Sequence, residues 1–431
     1  MLRIVSPATL CGTLAVMPSK SASHRALMLA AMAPGTTELS PLQCSRDVEA
    51  TLACARALGL AGETQLSPHA QPGFVRARIT GGQAPADGGV RMLDCGESGS
   101  TLRFFIPLAL DGHGPVRFVG HGRLMQRPLD VYEQLFVPRG IAWHQDGDTL
   151  TVGGTLHSGE FALRGDVSSQ FITGLLLALP RLHGDSVIRI TTALESRAYI
   201  ELTRAVQAAF GVASRWQDDR TLLVPGDQAI RSPGLARVES DWSHAAFYLV
   251  AGCIGRAPIT LTGLDRHSAQ GDRAIVEILR AMGADIRWGD DGSLTVHPAR
   301  LHAAGIDVSQ TPDLVPALAV AMAAAQGESR ITGAARLRIK ESDRLAAMRA
   351  ALSACGADVT ELPDGLIIRG GQPLHAAAVD GCNDHRIVMA MAVAAALSDG
   401  DIAISDAQAV AKSAPAFWAE YASLGGQSRE G

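Results

Sequence analysis

The sequence predicts an α/β protein of two domains, each made of three repeated β/α units. Three observations carry this. A polar turn that opens an Ala- and Leu-rich helix, followed by Gly and a β-branched strand, occurs six times, with polar starts near Ser23, Ser100, Ser169, Ser243, Asp313 and Asp384. By subtraction the starts lie 77, 69, 74, 70 and 71 residues apart, a period longer than ordinary solenoid repeats. Finally, 431 residues are too many for one compact core and a natural length for two.

The six helix-to-strand segments are SASHRALMLAAMAPGTTEL (21–39), ESGSTLRFFIPLALDGHGPVRFVG (97–120), SSQFITGLLLALPRLHGDSVIRI (168–190), SDWSHAAFYLVAGCIGRAPITLTGL (240–264), TPDLVPALAVAMAAAQGESRITG (311–333) and NDHRIVMAMAVAAALSDGDIAIS (383–405). A second helix follows in each unit: RDVEATLACARALG, RPLDVYEQLFVPRG, YIELTRAVQAAFG, GDRAIVEILRAMG, SDRLAAMRAALSACG and SAPAFWAEYASLGG. Their closing glycines suit a left-handed helix cap. Pieces such as DIRWGDDGSLTV and DVTELPDGLIIRG read as strands joined by Gly-containing turns. The polar Pro/Gly stretch QAIRSPGLARVES (228–240) is the expected crossover at mid-chain.

Composition narrows the class. A hydrophobic share of 47% and a charged share of 19% fit a large core. A net charge of −5 argues against a general nucleic-acid binder, yet permits a local basic site. Seven scattered cysteines without a C-x-x-C pair read as reduced thiols of a cytoplasmic protein. No zinc spacing or nucleotide loop is visible, so no metal and no cofactor is expected. No secretory signal is apparent. The longest apolar runs, 314–325 and 387–397, fall short of the about 20 residues of a membrane span.

The charge placement points to function. Ser, Thr and Asp at a helix start are ordinary N-caps. Lys and Arg there oppose the helix dipole and should cost stability. They nevertheless occur at such starts as Lys20, Arg25, Arg103 and Arg386, and in loops as Arg127, Lys340, Arg344 and Lys412. Several helix N-termini converging with these cations would form an anion trap.

On these residues the chain resembles the 5-enolpyruvylshikimate-3-phosphate (EPSP) synthase family of enolpyruvyl transferases. The matching pieces run in order along nearly the whole sequence: PSKSASHR (18–25), GESGSTLR (96–103), QRPLD (126–130), SSQF (168–171), ESRAYIELT (195–203), SAQGD (268–272), PDL (312–314), RIKESDR (338–344), NDHR (383–386) and AKSAP (411–415). The resemblance implies a two-domain inside-out α/β barrel, with helices inside and sheets outside. It implies domains of 18–235 and of 1–17 plus 236–431, the first strand belonging to the second domain and the active site lying in the cleft between them.

The activity it implies is transfer of the enolpyruvyl group of phosphoenolpyruvate to the 5-hydroxyl of shikimate 3-phosphate, releasing phosphate, in aromatic amino acid biosynthesis. Carried over position by position, shikimate 3-phosphate would meet Lys20, Ser21, Arg25, Ser168, Ser169, Gln170, Ser196, Tyr199, Asp313 and Lys340. Phosphoenolpyruvate would meet Lys20, Gly99, Arg127, Gln170, Arg344, Arg386 and Lys412. Asp313 and Glu341 would move the protons, with Lys20 assisting at the departing phosphate. The expected partners are these two small molecules alone, with a monomeric protein and neither nucleic acid nor membrane.

Each residue also has a plainer reading. Asp313 could be an N-cap, Glu341 and Arg344 a capping and surface ion-pair cluster, and Arg127 simply the residue before a helix-starting Pro128. His24, His244 and His385 read as structural or solvated. Pro18, Phe104 and Arg336 depart from the commonest family pattern. The related UDP-N-acetylglucosamine enolpyruvyl transferases typically carry a Cys where this chain has Gly122. A non-catalytic anion-binding scaffold is the alternative of another class.

Overall fold

The computed structural model describes residues 1–71, 73–82 and 90–431. Among them are six four-stranded sheets that share one strand order. In one, Glu160–Leu163 runs parallel to Ser186–Ile190, and the helix Ser169–Ala178 connects them. Ser186–Ile190 then pairs antiparallel with Thr221–Val224, which closes a hairpin with Arg215–Asp218. The helix Arg197–Ala209 leads into that hairpin. A parallel pair needs a long crossover whereas a hairpin needs only a turn, so each unit alternates the two connections.

Two sheets exchange a strand. Gly12–Ala15 directly precedes the helix Lys20–Met32, yet pairs with Ile259–Thr262. Leu235–Arg237 precedes the helix Trp242–Ile254, yet pairs with Gly35–Leu42. Arg3–Ser6 lies between Ile402–Ile404 and Gln427–Glu430. The chain accordingly separates into two compact units, Pro18–Val238 and Met1–Met17 with Glu239–Gly431.

The two helices of each unit differ in burial. The first helices are covered on all sides. Every residue of His385–Ala394 is buried, as are Trp242 to Cys253 of Trp242–Ile254 and Val315 to Ala323 of Val315–Ala324. A helix that is apolar all round belongs in a core. The second helices bury a stripe: in Arg46–Ala57 it is Asp47, Val48, Thr51, Cys54 and Ala55. Strands such as Thr149–Gly153 bury alternate residues. One face of each such strand therefore lies on the helices and the other is turned outward, the inside-out arrangement.

Local chemistry sets the element ends. Side-chain oxygens of Ser19, Ser98, Ser168, Asp241 and Asp384 accept from backbone N–H groups in the first turns of five first helices. Ser23, Ser100 and Ser243 therefore sit inside the first turn and are not the caps. Asp313 lies in a 3-10 turn, Pro312–Leu314, whose preceding residue is Thr311. The second helices close on left-handed glycines, as at Gly59 (φ 81°) and Gly356 (φ 91°), where any other residue would be strained. No described helix is long and apolar enough to cross a membrane.

Candidate active site

In the unit 18–238, polar side chains collect at the starts of three first helices. Lys20 opens Lys20–Met32, and its ammonium donates to Asp47 Oδ2 at 2.9 Å. Asp47 belongs to the first turn of Arg46–Ala57. Gly99 opens Gly99–Leu108, and Gln170 sits in the first turn of Ser169–Ala178. Gln170 joins those two helices: its Nε2 donates to Ser100 Oγ at 3.0 Å, and its Oε1 accepts from Arg103 Nη1 at 2.9 Å.

Gly99 has a spatial reason. A Cβ there would lie 2.7 Å from Arg127 Nη1 and 2.9 Å from Arg103 Nη1. Two guanidinium groups thus lie over the bare backbone of a helix N-terminus, where N–H groups also point. Arg127 follows the 3-10 turn Leu124–Gln126 and is buried. Its position beside Gly99 goes beyond that of a residue merely preceding Pro128.

Arg25 has a different setting. It is 2% exposed and donates to Ser21 O (2.7 Å), Thr203 Oγ1 (2.8 Å), Tyr199 O (3.2 Å) and Thr173 Oγ1 (3.3 Å). Burial pushes its proton affinity down to about 10, so it stays charged at neutral pH. Its guanidinium also lies over the Phe104 ring, 5.2 Å from the centroid. Arg25 therefore pins Lys20–Met32 to Ser169–Ala178 and Arg197–Ala209, touching both Ser21 and Tyr199 through their carbonyls. Ser168 caps its helix by accepting from Gln170 N, and Ser169 is the first helical residue. Ser196 precedes Arg197–Ala209 in the left-handed region at φ 55°, and it is buried. A non-glycine residue held there is strained, and such strain gathers at functional sites.

His24 is structural. Its Nδ1 shares a hydrogen with Thr51 Oγ1 at 2.6 Å. Burial first, then Lys20 and Arg25, hold its pKa well below the ordinary value, so the ring is neutral. The rivals' Cys position is occupied by Gly122 at φ 58°, where a Cβ would come 2.7 Å from Glu97 Oε2.

The other unit carries a carboxylate–guanidinium cluster. Arg344 is 2% exposed and reaches three carboxylates. Its Nε donates to Asp384 Oδ2 (2.8 Å), its Nη1 to Asp313 Oδ1 (2.9 Å) and its Nη2 to Glu341 Oε2 (2.8 Å). Arg386 donates to Asp313 Oδ2 at 3.0 Å and to the Asp313 carbonyl at 3.1 Å. Lys340 Nζ stands 3.9 Å from Asp313 Oδ1. Lys412 Nζ donates to Asn383 O at 2.7 Å. Asp384, wholly buried, also accepts from Ser342 Oγ at 3.0 Å and caps the helix that begins at His385.

The electrostatics follow. Burial alone would raise the proton affinity of Asp313, but Arg386, Lys340 and Arg344 outweigh it and hold the carboxyl well below the usual range. Burial opposes the charge on Arg344, yet Asp384, Glu341 and Asp313 keep it firmly protonated. The capping and surface-pair roles in RIKESDR fall to other residues: Asp343 caps Arg344–Ala354, and Arg338 pairs with Asp343 and Glu361.

The cations placed against their helix dipoles are thus offset by carboxylates of the protein itself. Lys20 has Asp47, and Arg386 has Asp313. Sequence reasoning gave no role to Asp47 and marked Asp384 only as a helix start, because an acidic residue there is what the dipole favours and carries no further signal. Arg336, buried, donates to Ser309 O at 2.6 Å. His244 pairs with Glu420 at 2.6 Å inside the core.

Comparison with known proteins agrees in sequence and in fold. The profile of EPSP synthase (3-phosphoshikimate 1-carboxyvinyltransferase) matches residues 4–421. A 3-phosphoshikimate 1-carboxyvinyltransferase of Clostridium novyi is 42% identical over 425 residues, covering 98% of this chain and 97% of the relative. That of Clostridium perfringens strain 13 is 40% identical and covers 99% of each. The solved EPSP synthase of Acinetobacter baumannii superposes with a TM-score of 0.79 at 26% identity over the full length of both chains. The enolpyruvyl transferase NikO of Streptomyces tendae, 16% identical with a TM-score of 0.78 over 99% of this chain and 98% of that one, shares the fold. With the profile spanning nearly its whole length and relatives at this identity, the chain belongs to the EPSP synthase family.

Proposed function

We propose that the protein transfers the enolpyruvyl group of phosphoenolpyruvate to the 5-hydroxyl of shikimate 3-phosphate. The observation that carries this reading is the Arg344 node, where one buried guanidinium holds the two carboxylates, Asp313 and Glu341, that an addition–elimination needs. In the addition step the 5-oxygen bonds to the central carbon of phosphoenolpyruvate. Its proton passes to Asp313, and Glu341 delivers one to the methylene carbon. In the elimination the methyl carbon returns a proton, and the bond to the phosphate oxygen breaks. Two acid–base groups are required because one centre gains a proton as another loses one.

Both substrates are multiply anionic, and the cations fit them. Arg127, Arg344 and Arg386 offer planar forks suited to carboxylate and phosphate. Lys20, Lys340 and Lys412 add point charges, and Gly99, Ser168, Ser169 and Gln170 present N–H and side-chain donors at helix starts. Ser21, Arg25, Ser196 and Tyr199 complete the shikimate 3-phosphate side. Holding two reactants in attack geometry contributes about 7–11 kcal/mol.

The test is release of inorganic phosphate from phosphoenolpyruvate. Release that depends on shikimate 3-phosphate supports the proposal. Release with UDP-N-acetylglucosamine instead, or none with any acceptor, overturns it.

A further inference from the structure

The SAQGD segment (268–272) takes no part in the mechanism above, yet the charges of Asp313 and Arg386 act on its Asp272. Gln270 Oε1 accepts from the backbone N–H of Trp242 at 3.1 Å, and its Nε2 donates to Ser240 O at 2.8 Å, fixing the entry to Trp242–Ile254. Two residues on, Asp272 lies in the 3-10 turn Gly271–Ala274 and is 3% exposed. The Ser243 hydroxyl donates to its Oδ2. Its Oδ1 is buried and has no hydrogen-bond partner among the described residues. An interior carboxylate oxygen in that state is costly and calls for an explanation.

The charged groups acting on Asp272 are Asp313, Arg386 and Asp241, and Arg386 is the residue that donates to Asp313. The charge of Arg386 therefore acts on both carboxyls, Asp272 and Asp313. Asp313, gripped by Arg386, Arg344 and Lys340, is by itself a weak base for a hydroxyl proton. A second buried carboxylate nearby counteracts those cations, because like charges raise each other's proton affinity.

We propose that Asp272 is a positioning residue of this site, a buried carboxyl whose charge keeps Asp313 basic enough to accept the substrate's hydroxyl proton. The proposal rests on the role given to Asp313 above. The step balances: the 5-hydroxyl O–H breaks, its proton bonds to Asp313, and the repulsion between the two carboxylates falls as that charge is neutralised. Burial pushes Asp272 up to about 7, aided by Asp313 and Asp241 and opposed by Arg386 and Ser243. It therefore changes charge near neutral pH.

Asp272→Asn keeps the shape and removes the charge. The wild-type profile of kcat/KM is expected to rise through an inflection near pH 7, and the variant is expected to lack it. We expect kcat to fall about tenfold or more in the variant, with KM for phosphoenolpyruvate held within about threefold, the split expected when acid–base chemistry is impaired and binding is not. Asp272→Glu should restore part of the rate. Ser243→Ala, which removes a donor to the ionised form, should move the inflection to higher pH. Thermal melting gives a readout independent of turnover. A buried carboxyl whose folded-state proton affinity is raised costs stability as pH climbs from the unfolded value near 4 to the folded value of about 7, so Asp272→Asn should gain on the wild type through that window and hold the gain above it. If Asp272→Asn does not fold, Ser243→Ala carries the test, and an unmoved inflection there overturns the proposal. An unchanged kcat/KM profile in Asp272→Asn, with a melting difference that is flat with pH, also overturns it. A wild type that makes no product sinks the proposed reaction instead, while the melting titration still reports on Asp272.

Discussion

Gly99→Ala tests the geometry of the 18–238 unit most sharply, because one methyl group is the whole perturbation. The added Cβ would stand 2.7 Å from Arg127 Nη1 and 2.9 Å from both Arg127 Cζ and Arg103 Nη1. Non-bonded carbon contacts settle at about 3.5–4.0 Å, so the Arg127 fork must retreat by about 1 Å. The obstructing atoms are ends of flexible side chains, and the Gly99 backbone is not left-handed, so the helix itself accepts alanine. Stability should therefore hold, with a melting temperature within about 3 °C of wild type. Function should not hold, because a misplacement of about 1 Å can cost about a hundredfold, or about 2.8 kcal/mol. Steady-state phosphate release should show KM for phosphoenolpyruvate raised and kcat/KM down by about that factor. Calorimetric affinity for shikimate 3-phosphate should be little altered. An unchanged KM for phosphoenolpyruvate would refute the assignment of Arg127 and Gly99 to that substrate.

Arg344→Met should destabilise its unit by about 3–5 kcal/mol in urea titration, since it leaves Asp384 and Asp313 as buried charges without their guanidinium; a loss under about 1 kcal/mol would contradict the node described here. Lys20→Ala and Glu341→Gln should each slow turnover by about 10²–10⁴-fold with unchanged circular dichroism, and wild-type rates in either would remove that residue from the chemistry. Burial works against ionised Asp313, Asp384 and Glu420, but Arg386, Arg344 and His244 outweigh it, so the folded-state proton affinities are depressed. Their stabilisation is then complete above the unfolded carboxyl values near 4 and lost as pH falls below them. Denaturant midpoints should drop steeply only under about pH 4, and a steep fall between pH 6 and 5 would contradict this assignment.

The repeat was readable because each unit reuses two devices with strong local signatures, a capped apolar helix and a glycine-terminated amphipathic one. The exchange of Gly12–Ala15 and Leu235–Arg237 between sheets left no such mark. Nothing in a strand of three or four residues names its partner, and the resemblance implied only that the first strand belongs to the second domain. At the site, Arg386 was conspicuous as a cation in a place the helix dipole disfavours, whereas Arg344 was read as a loop cation and instead opens the helix Arg344–Ala354. Of the residues that hold cations, Asp47 was silent and Asp384 read only as a helix start, because acids are common there. Asp313 was ambiguous from sequence, and its neighbours favour the functional reading: its carboxylate faces three cations. The polar starts read near Ser23, Ser100 and Ser243 lie two to four residues past the caps Ser19, Ser98 and Asp241, since several polar side chains crowd each start and the cap is the one placed to accept from the first turn.

The pairing of Arg3–Ser6 with Ile402–Ile404 and Gln427–Glu430 has a kinetic price. At about 5–20 residues per second, a ribosome needs roughly 20–80 s to make both partners. For that time the first strand of the nascent chain has an unsatisfied edge, while Pro18–Val238 can already close upon itself. Slow, late completion of the discontinuous unit should set the pace of maturation, and the waiting segment is where a holding chaperone would act.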